Sequence, residues 1–159
     1  MENKDVESTV RDIIRKMRAS CVMNLETAKA LIELVEAEAS RMGVKAVVAV
    51  SDAAGRPIAI HCMDGAYIGS FDVALNKTYT SVAFQMPTAK LAELAAPGGS
   101  LYGIQHTNEG KIVIFGGGEP LYVDGVLVGA IGVSGGPAEQ DTKLGIYGKE
   151  KLKDVIAWN

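Results

Sequence analysis

The chain has 159 residues, 48% of them apolar, and a formal net charge of −3. This length fits one domain with a buried core, and the lack of a basic surplus argues against nucleic acid as a partner. Apolar runs such as 46–50 are too short to span a bilayer, and the charged N-terminus lacks a signal-peptide pattern, so we expect no membrane partner. Two cysteines, Cys21 and Cys62, form neither a disulfide framework nor a metal cluster, so we expect a cytoplasmic protein.

The first predicted element is an amphipathic helix over residues 4–18. It is predicted by one apolar stripe at helical spacing, made of Val6, Val10, Ile13, Ile14 and Met17. We predict that this helix belongs to a separate N-terminal segment, residues 1–21, and that residues 22–159 form the folded domain.

A second helix and a hairpin follow. Asn24 is a favourable N-cap for a helix over residues 25–42, and Gly43 is a favourable residue for its C-terminal end. Two apolar runs separated by a short turn then predict a β-hairpin over residues 44–64.

The third predicted helix covers residues 68–86. Its core stripe is predicted from apolar residues at helical spacing, namely Ile68, Phe71, Leu75, Tyr79, Val82 and Met86. Lys77 lies off this stripe. A short helix through Leu94 follows Pro87.

The second half of the chain is rich in strands. Residues 111–115 predict one strand, and two more flank Asp124 and Gly125, a strong hairpin-turn pair. A final helix over residues 137–157 is expected to pack Leu152, Val155, Ile156 and Trp158 on the core or on a neighbour. The whole pattern predicts an α+β fold, a profilin-like three-layer α/β/α domain with a mostly antiparallel five-stranded sheet.

The stretch FGGGEPLYVDGVLVGAIGVSGG, residues 115–136, holds eight of the 18 glycines. It matches neither the phosphate-loop pattern nor the dinucleotide fingerprint. Gly117 and Gly132 therefore either allow bends and close packing, or they admit a planar or anionic ligand close to the backbone. The amides before Pro137 form an anion-binding geometry at a helix start, which Glu139 or Asp141 could instead cap.

Two long segments of this sequence resemble the GlcG/HbpS-like family, which includes the C-terminal domain of PduO-type proteins. The segments are HCMDGAYIGSFDVALNKTYTSVAFQMPTAKL and FGGGEPLYVDGVLVGAIGVSGGPAEQD. The resemblance runs from about residue 24 to residue 142, and its motifs occur in the family's order and spacing. APGGSLYGIQ is most similar to the PduO-like branch, whose stand-alone members occur in diol and glycerol operons.

The resemblance implies a profilin-like fold, a homo-oligomer and haem binding, with a corrinoid as the alternative cofactor. PduO-type proteins also carry a cobalamin adenosyltransferase domain, for which 159 residues leave no room, so we expect no such activity. Where many relatives have an arginine before Met-Asp-Gly-Ala, this chain has Cys62, preceded by His61.

His61 and His106 are the only histidines and so the candidate iron ligands. The alternative, which residue type and position favour, is that each is an ordinary solvated or hydrogen-bonded histidine. In a strand, His61 and Cys62 face opposite sides. We interpret Cys62 as a small core residue rather than a thiolate ligand, and Met63 as a core residue.

A ligand-binding set follows from the family motifs: Asp64, Lys77, Gly117, Gly132, Ser134, Glu139 and Asp141. Lys77 could reach a carboxylate or a haem propionate, or it could pair with Asp64 or Asp72 as a structural ion pair. Catalytic residues are not identified by the sequence. The best acid/base constellation is Lys77 with Glu139 or Asp141.

Three functional hypotheses remain open. The first is a non-enzymatic haem- or tetrapyrrole-binding accessory protein of diol or glycerol metabolism. The second is a small enzyme that acts on a hydroxy or keto metabolite, and the third is a structural accessory subunit without a ligand. The N-terminal helix resembles the encapsulation peptides of bacterial microcompartment enzymes, which predicts docking to shell or cargo proteins through residues 4–18 and a place in the microcompartment lumen.

Overall fold

The computed structural model describes residues 6–14 and 23–156. Residues 6–14 are helical and are called α1. The other helices are α2 (Leu25–Arg41), α3 (Ser70–Phe84), α4 (Thr88–Ala95) and α5 (Ala138–Val155). The strands are β1 (Val47–Asp52), β2 (Pro57–Cys62), β3 (Gly118–Val123) and β4 (Val126–Ser134). The remainder of the predicted N-terminal helix, residues 4, 5 and 15–18, and the predicted packing of Trp158 lie outside the described residues.

The strands form one antiparallel sheet in the order β2-β1-β4-β3. Helices α2 and α5 pack on one face and on each other, whereas α3 covers the opposite face, with α4 beside it. The α+β class, the antiparallel sheet and its covering by helices on both sides are therefore confirmed. The profilin-like assignment stays a prediction.

The sheet has four strands in the described part of the chain, so the prediction of five was wrong. The missing strand is the apolar run at 111–115, which is an irregular segment rather than a strand. Ile112 and Val113 are buried, and the Val113 amide donates to the Thr80 hydroxyl of α3 at 3.0 Å. A side chain of α3 thus satisfies a backbone group that would otherwise need a neighbouring strand.

The local signals around α2 and the last hairpin are confirmed. The Asn24 side chain accepts a hydrogen bond from the Thr27 amide at 2.9 Å, and Gly43 adopts φ +71° just after the helix. Asp124 and Gly125 both have positive φ, which is the backbone of a two-residue type I′ turn.

Helix α3 buries a different face from the predicted one. Ile68 precedes the helix and is 97% exposed, and Phe71 is 42% exposed, so neither belongs to the core. The buried face consists of small and polar residues, namely Ser70, Ala74, Lys77, Thr78, Thr80 and Ser81. A Cβ atom on Gly132 of β4 would lie 2.1 Å from the Ala74 carbonyl oxygen, so helix and sheet approach too closely for large side chains between them.

The C-terminal helix packs as predicted where it is described. Leu152 is buried, and Val155 and Ile156 pack partly buried against the core that α2 and the sheet share. Across the described residues, no helix combines the length and the apolar character needed to cross a bilayer.

Candidate functional site

The glycine-rich stretch is filled by the chain's own atoms. Gly117 has φ +114°, and a Cβ atom there would lie 2.7 Å from Lys77 Nζ and 2.6 Å from the Val133 carbonyl oxygen. A Cβ atom on Gly132 would lie 2.1 Å from the Ala74 carbonyl oxygen of α3. Both glycines are needed for close packing and, for Gly117, for a backbone that other residues rarely adopt. In this arrangement the space over them is not open to a ligand.

Lys77 is completely buried, with 0% of its side chain exposed. Its Nζ atom donates to the Val133 carbonyl oxygen at 2.6 Å and to Asp141 Oδ2 at 2.9 Å. The Phe115 ring centroid lies 5.0 Å from the same atom, in cation–π range. Lys77 therefore pairs with Asp141, and not with Asp64 or Asp72, which were the alternative partners.

Asp141 completes the network with its second oxygen. Oδ1 accepts hydrogen bonds from the Gly135 amide at 3.1 Å and from the Gly136 amide at 2.9 Å. The anion-binding geometry that the sequence indicates before α5 is thus occupied by the protein's own carboxylate, which lies in the first turn of that helix. One side chain thereby ties α3 to α5 and to the end of β4.

Burial is the largest influence on the pKa of Lys77. Removal from water lowers the pKa of Lys77 below its ordinary value, and the nearby Asp141 carboxylate opposes this change without reversing it. The desolvation cost of the ammonium group is therefore larger than its attraction to Asp141. With 0% and 3% of their side chains exposed, the two groups are sealed from any substrate in solution. Glu139 is exposed and does not complete the proposed acid/base constellation.

The other predicted ligand residues are spread over the domain. The Ser134 hydroxyl is buried and donates to the Ser70 hydroxyl at 3.1 Å, which joins β4 to the start of α3. Asp64 is exposed in the connection between β2 and α3. The structure brings Lys77, Gly117 and Asp141 together, but it does not bring Asp64 or Glu139 to them.

His61 lies on the edge strand β2 and points toward α2. Its Nδ1 atom is 3.2 Å from Glu36 Oε1, and its side chain is 32% exposed. Cys62 is exposed on the other face of the strand, so its interpretation as a core residue was wrong. Met63 packs against the core as predicted, and its sulfur accepts the Ala46 amide at 3.4 Å.

His106 ends a short 3₁₀ turn, Ile104–His106, and is exposed. Its Nε2 atom is 3.4 Å from the side-chain amide nitrogen of the adjacent Gln105. No cluster of three or more histidine, cysteine, aspartate or glutamate side chains suited to a metal ion occurs in residues 6–14 and 23–156.

The sequence reasoning missed three side chains that lie near the candidate residues, namely Phe115, Glu36 and Glu119. Phe115 was predicted in a strand but covers Lys77, and Glu36 carried no signal because its partner His61 is 25 residues away. Glu119 on β3 is buried beside Lys149 Nζ at 3.1 Å, and burial raises the pKa of its carboxyl group despite that lysine. Both Phe115 and Glu119 belong to the second family-like segment, but the sequence reasoning assigned neither of them a role in the site.

The sequence matches the family described as "Haem degrading protein HbpS-like" over residues 23–149. The chain belongs to this HbpS-like family. An uncharacterized 15.0 kDa protein of the dhaT-dhaS intergenic region of Citrobacter freundii is 40% identical over 131 residues, which are 82% of this chain and 92% of that protein.

Two other relatives carry informative names. The corrinoid adenosyltransferase PduO of Salmonella typhimurium is 39% identical over 106 residues, or 67% of this chain and 32% of PduO. The chain thus spans about a third of that relative. The solved PduOC:heme complex has the same fold, with a TM-score of 0.73 and 35% identity over 76% of this chain and 87% of the other.

The donor atoms of this HbpS-like chain can be tested against the needs of a haem iron, which proteins often hold through an imidazole nitrogen. The Glu36 carboxylate oxygen beside His61 Nδ1 is a hydrogen-bond acceptor, which favours the tautomer with the proton on Nδ1 and the lone pair on Nε2. No hydrogen bond to His61 Nε2 forms among the described residues. His61 is partly exposed and has one nitrogen held by Glu36, so its other nitrogen would be able to bind the iron of a haem.

Proposed function

We propose that this chain is a haem-binding accessory protein rather than an enzyme. The observation that carries the proposal is the PduOC:heme complex, because that relative shares the fold at 35% identity over most of both chains. A corrinoid is the alternative tetrapyrrole, since the longer PduO relative is named a corrinoid adenosyltransferase. The sealing of Lys77 and Asp141 removes the main support for acid/base catalysis.

A haemin titration of the purified protein, followed by absorbance, tests this function. The expected result is a saturable Soret shift that ends at about one haem per subunit, because one specific axial ligand defines one site. A shift that grows without saturation, as haemin gives with any apolar surface, would contradict haem binding. A parallel titration with a corrinoid separates the two tetrapyrroles.

We also propose that the protein acts in diol or glycerol metabolism as microcompartment cargo. The relative from the dhaT-dhaS region and the resemblance to the PduO-like branch support this setting. The cargo role is supported by α1, whose apolar stripe is about half exposed at Val6, Val10, Ile13 and Ile14. A short helix with an uncovered stripe gains stability when it docks in a groove of another protein.

The cargo proposal is tested by fusing residues 1–20 to a fluorescent protein in cells that form microcompartments. We expect punctate fluorescence at the compartments. The matched control carries Val10→Glu and Ile14→Glu, which interrupt the stripe and should give a diffuse signal. If the fluorescence of the unmodified fusion is diffuse as well, residues 1–20 do not direct a protein to the microcompartment.

We further propose that the domain forms a homo-oligomer through the start of α3. Tyr67, Ile68 and Phe71 expose large apolar surfaces there, beside the open edge strand β2 with Cys62. Contiguous apolar surface next to an unpaired strand edge is typical of an interface. A second copy is the occupant that we propose, because the same edge is present on every copy and can form a symmetric contact.

Light scattering coupled to size exclusion tests the oligomer. We expect the combined substitution of Ile68→Glu and Phe71→Glu to reduce the mass to that of a single chain, since buried unpaired charges disfavour the contact. Ile146→Glu is the matched control, because Ile146 is also an exposed apolar residue but lies on α5. Equal masses for all three proteins would rule out this interface.

A further inference from the structure

We infer that His61 supplies the iron ligand through its Nε2 atom and that Glu36 is the positioning residue that holds the imidazole for this role. The inference rests on the proposed haem-binding function and names the chain's own residues that carry it. It assigns the binding face to the side of the sheet where α2 lies, next to the edge strand β2.

The first step is the placement of the two residues by different elements. His61 pairs with Val48 in the β1–β2 ladder, and Val48 belongs to the core under α2, so His61 shares that face. Glu36 belongs to α2 and meets His61 at 3.2 Å. A contact between a helix and an edge strand fixes the ring more firmly than a contact with a flexible neighbour does.

The second step is the chemistry of the contact. Histidines that bind a metal commonly donate their other N–H to a carboxylate, which selects the tautomer, orients the ring and makes the ligating nitrogen more basic. Glu36 Oε1 supplies this acceptor for Nδ1, so Nε2 is left with the lone pair. The ring is also 32% exposed, so an iron could reach it.

The third step is the solvent-facing surface of α2, the helix that carries Glu36. A shallow depression of about 380 Å³ lies on the outer face of α2 and is lined there by Leu25, Lys29, Ala30 and the neighbouring glutamates 26 and 33. Lys29 lies seven residues before Glu36, on the same helix face and about 10 Å along the axis. The face thus offers two apolar side chains and one cation to a flat apolar ring with carboxylate groups, and its two glutamates oppose the binding of those carboxylates.

The comparison with His106 sharpens the assignment. His106 is exposed in a short turn and contacts only the side chain of its own neighbour, Gln105, among the described residues. In residues 6–14 and 23–156, no side chain of a second element forms a hydrogen bond with its ring. His106→Ala is therefore the matched control for any change at His61.

The test begins with haemin titrations of the wild type, His61→Gly and His106→Ala. We expect His61→Gly to lose the saturable Soret shift and added imidazole to restore it, whereas His106→Ala should match the wild type. If the wild type binds saturably and His61→Gly gives the same spectrum, the assignment is overturned while the haem-binding function stands. If the wild type does not bind, the proposed function itself fails.

A second variant, Glu36→Gln, tests the positioning role. The amide can still accept from Nδ1 but carries no charge, so the imidazole becomes a weaker donor. We expect affinity for haemin to fall about 10-fold or more, and the midpoint potential of the bound haem to rise. Urea unfolding of the apoprotein reports any merely structural effect. Unchanged affinity and potential in a normally folded variant would overturn the role of Glu36.

Discussion

Replacing Lys77 by methionine is expected to destabilise the domain by about 3–5 kcal/mol, the usual cost of removing one partner of a buried ion pair. The change leaves the Asp141 carboxylate 3% exposed without its counter-charge. It also removes the donor to the Val133 carbonyl oxygen, so a buried acceptor on β4 loses its ammonium partner. Chemical denaturation in urea, analysed as a two-state transition, measures the difference.

The control for this prediction is Lys90→Met. Lys90 pairs with Glu93 at 2.6 Å on the surface of α4, where both side chains are more than half exposed. An exposed pair of this kind contributes about 0–1 kcal/mol. If both substitutions changed the free energy of unfolding equally, the buried pair would not exist in solution.

A double variant separates the pairing from the burial. Lys77→Met together with Asp141→Asn removes both charges, while the new amide oxygen can still accept from the Gly135 and Gly136 amides. Burial lowers the pKa of Lys77 in spite of Asp141, so desolvation of the ammonium group opposes the stabilisation that the pairing gives. We therefore expect the double variant to regain most of the stability lost in the single one.

Signals that depend on adjacent residues predicted the structure well. The Asn24 cap and the Asp124-Gly125 turn are each determined by the backbone preferences of a few neighbouring residues, and both are confirmed. The predicted packing face of α3 was wrong, because the prediction used the apolar stripe of the helix alone and did not include the sheet against which the helix packs. The close approach at Gly132 selects small residues there, and no local pattern reveals that approach.

The candidate site shows the same difference between local sequence signals and contacts that depend on tertiary packing. Lys77 and Asp141 were both selected from the sequence, but their contact joins positions 64 residues apart and could not be read from either segment. Likewise, Glu36 becomes relevant only because α2 lies over the edge of β2. Sequence patterns indicate residue types, whereas tertiary packing decides which side chains meet.

The packing also changes what the family motifs mean in this chain. Lys77, Gly117 and Asp141 come from three separate motifs and meet in one closed network. These three residues therefore help to hold α3, β4 and α5 together. The ligand chemistry that we propose rests instead on a surface position, His61, which lies just before the Met-Asp-Gly-Ala motif.

The second large effect is expected at Gly132. Alanine there would place a Cβ atom 2.1 Å from the Ala74 carbonyl oxygen and 3.0 Å from Lys77 Cβ, so α3 must move away from the sheet. Overpacking of this kind typically costs about 1–3 kcal/mol, and we expect the upper part of that range because the contact is with backbone. The displaced helix should also weaken the hydrogen bond from Lys77 to Val133.

Gly69→Ala is the control, because a Cβ atom at that position meets nothing within 4 Å and its φ is not positive. We expect its unfolding free energy to change by less than about 1 kcal/mol. The measurement is the urea midpoint, with near-UV circular dichroism to follow the packing of the aromatic side chains. If Gly132→Ala were as stable as Gly69→Ala, α3 would be more loosely packed than the structure shows, and the closed network around Lys77 would lose its physical basis.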